Sequence, residues 1–112
     1  MLDLVELPQG VVIEVRRGGH DALAKLSADM ISLGISGYLR IERRPKNLIP
    51  RVSQILISDG QPRLAIHESD LVLGGLEALL EIERDAATLD ALISLVELSD
   101  DEAARVEDLY PD

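Results

Sequence analysis

The chain contains no cysteine, no phenylalanine and no tryptophan, and only two tyrosines, Tyr38 and Tyr110. Without cysteine there are no disulfides, no thiolate catalysis and no cysteine-ligated zinc or iron–sulfur site, which fits a reducing cytoplasm. Two histidines leave little material for a transition-metal site. Scarce aromatics argue against single-stranded nucleic-acid binding, because base stacking draws on such rings. No apolar run approaches the roughly 18 residues of a membrane-spanning helix. "MLDLVELPQG" carries acids and a proline where a secretory signal would carry a basic region and then an apolar run. The expectation is a soluble cytoplasmic protein.

Motifs that carry chemistry are missing too. There is no GxGxxG, no GxxxxGK[ST], no GxSxG elbow around any serine and no DxDxDG calcium loop. His67, Glu68 and Asp70 form the nearest approach to a metal cluster. Residues 67 and 68 of a strand face opposite sides, so His67 reads as a polar residue at a strand end. "GGHD" (18–21) reads as a turn entering a helix, since an acid at 21 disfavours phosphate at the helix start. The expectation is a protein that is not an enzyme and needs no cofactor or metal.

What remains is a length of 112 residues, enough for one domain spanning 1–112 with a small core, with a tail at 109–112 that frays. The apolar fraction of 46% is almost all aliphatic, so leucine, isoleucine, valine and alanine must build that core. Net charge is −10 and unevenly placed: residues 1–66 balance to +2 and residues 67–112 to −12. Such asymmetry points to partners or to solubility rather than to chemistry.

Periodicity places the elements. "GVVIEVRR" (10–17) reads as a strand. In "HDALAKLSADMISLG" (20–34) Leu23, Leu26, Met30 and Leu33 share one helical face, with Asp21 at the start and Gly34 as the stop. "SGYLRIERR" (36–44) alternates as a half-buried strand, with Leu39 and Ile41 on one side and Tyr38, Arg40 and Glu42 on the other. Pro45 and Pro50 bound a loop or edge. "VSQILIS" and "PRLAIHE" flank Asp59-Gly60, a strong hairpin signal. "SDLVLGGLEALLEIER" (69–84) reads as a helix capped by Ser69 or Asp70, with Val72, Leu73, Leu76, Leu79 and Leu80 as its apolar stripe. Its glycine pair suggests close packing on a strand. "DAATLDALISLVELS" (85–99) fits helix or strand, and a strand near 91–98 is preferred. "SDDE" (99–102) matches a capping box at the start of a short acidic helix. The order implies an α+β fold: a mostly antiparallel sheet of about five strands, two longer helices packed on it, and a short C-terminal helix.

The basic residues Arg40, Arg43, Arg44, Lys46 and Arg51 cluster within an acidic chain. They are the candidates for partner binding, either an acidic protein surface or nucleic acid. The competing reading is protection of a sheet edge by charge and proline. A third is attraction to the acidic C-terminal helix of the same or another chain.

"SGYLRIE", then the strand into "ISDGQPRLA", then "GGLEALLE" resemble the PATAN type of domain, and more closely an archaeal family of uncharacterised proteins related to it. The pattern covers most of the chain. The resemblance implies a protein-interaction or signalling-adaptor module with a protein partner, and no established enzyme activity. This chain departs from the family in its aliphatic hairpin strand, Ile55, Leu56 and Ile57, and in its longer basic loop. A nucleic-acid accessory role through the basic loop is the alternative, and homodimerisation through an exposed strand edge is a further expectation.

Overall fold

The computed structural model describes residues 10–44, 49–58 and 60–109. Lys46, Pro45, Asp59, the first nine residues and the tail 110–112 lie outside them, so the expectations for those positions are left as they stand. The elements are β1 (Val11–Arg17), α1 (Ala22–Leu33), β2 (Gly37–Arg43), β3 (Arg51–Ser58), β4 (Gln61–Glu68), β5 (Val72–Gly74), α2 (Gly75–Ala86), β6 (Leu92–Glu97) and α3 (Asp100–Leu109). The fold is α+β, with one six-stranded antiparallel sheet in the order β1-β6-β2-β3-β4-β5. The strand count exceeds the expected five because β5 precedes α2 where the sequence suggested more helix.

The register explains why the central strands are apolar on both sides. Leu39, Ile55, Ala65 and Leu95 join Leu26, Met30, Ala78 and Ile82 of α1 and α2 in the larger core. Tyr38, Leu56, Leu64, Ile66 and Val96 join Leu98 and Val106 in a second cluster. Residues alternate between these clusters along β2, β3, β4 and β6, as pleating requires. Thus α1 and α2 cover one face and α3 the other. The doubly buried run Leu95-Val96 is why periodicity could not separate helix from strand over 89–98. The resolution as strand β6, between β1 and β2, agrees with the preferred reading.

The helix ends are instructive. α1 stops at Gly34, with φ 67°. Its N-cap is Asp21, at φ 64° and with no side-chain capping bond, so the carboxylate does not play the expected role. At α3 both arms of the capping box form: Ser99 N donates to Glu102 Oε1 at 3.1 Å, and Glu102 N to Ser99 Oγ at 3.1 Å. At α2 the expectation fails. The helix starts at Gly75, beyond Ser69 and Asp70, and its buried side is Ala78, Ile82, Asp85 and Ala86. Leu76 and Leu80 are 73% and 60% exposed. Gly75 is there for its backbone: φ is 60°, and nothing lies within 4 Å of a Cβ built on it. Close packing is therefore not its purpose.

Candidate functional site

Two features stand out: a buried polar cluster under the C-terminal half of α2, and the edge strand β1, whose outer side pairs with no strand among the described residues.

The cluster follows from register. Arg43 pairs with Arg51, Ile41 with Ser53, and Ser53 with His67, so Arg43, Arg51, Ser53 and His67 all point to the side of α1 and α2. Glu81 and Asp85, one turn apart on α2, come down onto them. Arg51 Nε donates to both Asp85 oxygens at 3.0 Å, and its Nη2 donates to Glu81 Oε2 at 2.6 Å. Arg43 Nη1 donates to Asp85 Oδ1 at 3.3 Å and Nε to Asp90 Oδ1 at 3.2 Å. Ser53 Oγ and His67 Nδ1 are 2.7 Å apart, and His67 Nδ1 lies 3.9 Å from Asp85 Oδ2. Ser53, His67 and Asp85 are each 1% exposed.

Electrostatics follow the geometry. Burial works to lower the pKa of Arg51, but hydrogen bonding and charge from Asp85, and then Glu81, outweigh it and leave the pKa raised. His67 is held below its ordinary value, first by burial and then by the Arg51 charge, against the opposing pull of Asp85, Glu81 and Asp70. Asp90 is lowered by a hydrogen bond from Thr88 and by Arg43.

A serine, a histidine and an aspartate in one place invite a catalytic reading, but the geometry opposes it. A relay needs the serine on one ring nitrogen and the acid on the other. Here both approach Nδ1, while Nε2 has no hydrogen-bond partner among the described residues. All three groups are also sealed from solvent. Neither of two surface grooves lined by described residues includes this cluster. One, of about 370 Å³, lies between α1 and α2 and is lined by Gly19, Leu23, Ser27, Glu83 and Ala86. The other, of about 410 Å³, lies at the head of β1 and is lined by Gly10, Val11, Glu97 and Glu102. Among the described residues no three histidine or acidic side chains are grouped to hold a metal ion, and no helix is long and apolar enough to cross a membrane.

The candidate basic residues separate. Arg43 and Arg51 turn inward to the acids of α2 and to Asp90. Arg40 lies on the opposite face of β2, with Nε 2.9 Å from Glu42 Oε1. Arg44, just after β2, is exposed. Lys46 is outside the described residues. The acidic partners of the inward pair lie on and just after α2 rather than on α3. Sequence reasoning missed the Ser53–His67–Asp85–Arg51 cluster because its members lie on three different elements. The one available signal was Asp85 at the i+3 position after Ile82 and i+7 after Ala78, an acid on the buried stripe of α2.

The edge of β1 is different in kind. β1 ends the sheet, and Val11, Val12, Ile13 and Val15 are between 48% and 64% exposed. Its partner is β6, with a bulge between Val12 and Glu14 that leaves Ile13 as the extra residue. Past the bulge Glu14 to Arg17 pair regularly, and Arg16 Nη2 meets Glu14 Oε2 at 2.5 Å. The opposite edge, β5, has three residues. No family model matches the chain, nor does any curated protein or solved structure.

Proposed function

We propose that this chain is a non-catalytic protein-interaction module that takes an extended polypeptide segment onto the free edge of β1. The observation carrying this is the contrast between the two edges of the sheet. An edge strand offers a row of unpaired backbone groups, and proteins blunt edges by keeping them short, charged or bulged. β5 is blunted by length. β1 has a bulge at Ile13 and charges at Glu14, Arg16 and Arg17, yet it runs for seven residues and still displays four exposed aliphatic side chains. Strand addition uses such an edge, with backbone hydrogen bonds for affinity and alternating side chains for selectivity. The resemblance to PATAN-type domains points the same way.

The alternative, a nucleic-acid accessory role for the basic loop, has less behind it. Two of its five residues, Arg43 and Arg51, already spend their donors on buried or half-buried acids. Phosphate contacts would have to rest on Arg40, Arg44 and Lys46.

Val15→Lys tests the reading. It puts a charge on the exposed edge, at a residue that belongs to neither core cluster. Tagged protein purified with its bound partners should lose them on this substitution while its melting temperature holds. Retention of the same partners by the variant would overturn the edge reading.

A further inference from the structure

We propose that the segment taken up by β1 is β1 of a second copy of this chain, paired antiparallel in the register that sets Val15 opposite Val15. This rests on the strand-addition reading above and names its partner.

Three observations carry it. First, the strand is self-complementary in charge in that register alone among those centred on its regular half. With Val15 facing Val15, Glu14 stands opposite Arg16 of the second copy, and Arg16 opposite its Glu14. Centring on Glu14 would oppose two carboxylates, and centring on Arg16 would oppose two guanidinium groups; like charges directly opposite one another are destabilising. Second, the faces agree. Glu14 pairs with Leu95 and Arg16 with Ile93, so both lie on the side of α1 and α2. A two-fold axis perpendicular to the sheet preserves faces, which brings the opposite charges together on one side. Val15 pairs with Ser94 and Val12 with Val96, so these valines lie on the other side. There exposed Val15 meets its own counterpart, which removes apolar surface from water. Third, the residues that this register sets directly against one another, Glu14 to Arg16, all lie past the bulge at Ile13, in the regularly paired half of the strand.

The result is an isologous contact, the same patch on both chains, that joins two six-stranded sheets into one of twelve strands. It also removes an edge that would otherwise template open-ended association.

The absence of native cysteine makes a clean test available. Sedimentation equilibrium of the whole chain should show mass rising from one copy to two with concentration. Val15→Cys should cross-link under oxidation, since directly opposed residues of an antiparallel pair have Cα atoms within disulfide range. Val12→Cys, which this register sets opposite Gly18, should not. Glu14→Arg alone and Arg16→Glu alone should each be monomeric, and an equimolar mixture of the two should dimerise, because each then supplies the charges the other lacks. A single-chain mass at every concentration, cross-linking of Val12→Cys as fast as Val15→Cys, or a mixture that stays monomeric would overturn the assignment. The edge reading is judged apart from this: a wild-type monomer whose captured partners vanish on Val15→Lys sinks the second copy and keeps the edge.

Discussion

Arg43 and Arg51 stand directly opposite each other in the β2–β3 ladder, and both guanidinium groups reach the same carboxylate, Asp85. Like charges in that relation repel, so two adjacent strands tolerate them only because α2 delivers an acid between them. The interaction therefore ties the position of α2 to the sheet. Removing one member of a buried ion pair leaves uncompensated charge and costs about 3–5 kcal/mol. Asp85→Ala should lose that much in urea unfolding. Replacing Asp85 and Arg51 together by leucine and methionine should recover most of it, since apolar substitutes for a buried pair are often neutral or better. A double variant as unstable as Asp85→Ala would show that the cluster does more than hold α2.

The basic cluster divides accordingly. Arg44→Glu alters an exposed side chain and should leave the melting temperature unchanged. Arg43→Glu sets a carboxylate against Asp85 and Asp90 and should lower it by several degrees, as about 1 kcal/mol moves a domain of this size by roughly 4–8 °C. Thermal melts of the two separate structural from surface roles. Only Arg44→Glu is then a fair probe of partner binding by the basic loop, because any loss seen with Arg43→Glu would be confounded with unfolding.

His67 makes stability depend on pH. Its folded pKa lies below the ordinary 6.5, through burial first and the Arg51 charge second. The unfolded chain therefore binds a proton at a pH where the folded chain does not. Stability is full above about pH 6.5 and falls as the pH drops from there toward the lower folded value. Chemical denaturation at stepped pH should show this decline in the wild type, and His67→Gln should flatten it. Equal slopes in the two proteins would mean that His67 does not titrate differently in the two states.

Local pattern carried much of the fold. Alternation marked β2, the Asp59-Gly60 pair marked the β3–β4 hairpin, and Ser99 with Glu102 marked the start of α3, because each signal lies within a few residues. What was not legible depended on which elements meet. In isolation, Leu76 and Leu80 look like a core stripe, yet the helix turns Ala78, Ile82 and Ala86 to the sheet and leaves those leucines outside. Arg43 and Arg51 look like a surface patch until α2 is laid across them. The exposed edge of β1 is likewise invisible in "VVIEVRR", which reads equally well as a central strand. Only the strand order puts it at the end of the sheet.

Two glycines that the sequence presents alike have different physical roles, and substitution should separate them. A Cβ on Gly37 would collide with the backbone carbonyl of Val96 on the neighbouring strand β6, and backbone in the middle of a sheet cannot move aside cheaply. Overpacking of this kind costs about 1–3 kcal/mol or more, and here it also disturbs the β2–β6 pairing that holds both clusters of the core together. A Cβ on Gly75 meets nothing within 4 Å and is opposed only by its φ of 60°, a left-handed conformation that costs a side-chain-bearing residue about 1–2 kcal/mol. Gly37→Ala should therefore lower the denaturation midpoint more than Gly75→Ala does. Gly75→Asn should recover part of the loss, because asparagine tolerates that conformation, whereas Gly37→Asn should be worse than Gly37→Ala. The reverse order in a urea series would mean that β6 can yield at Val96.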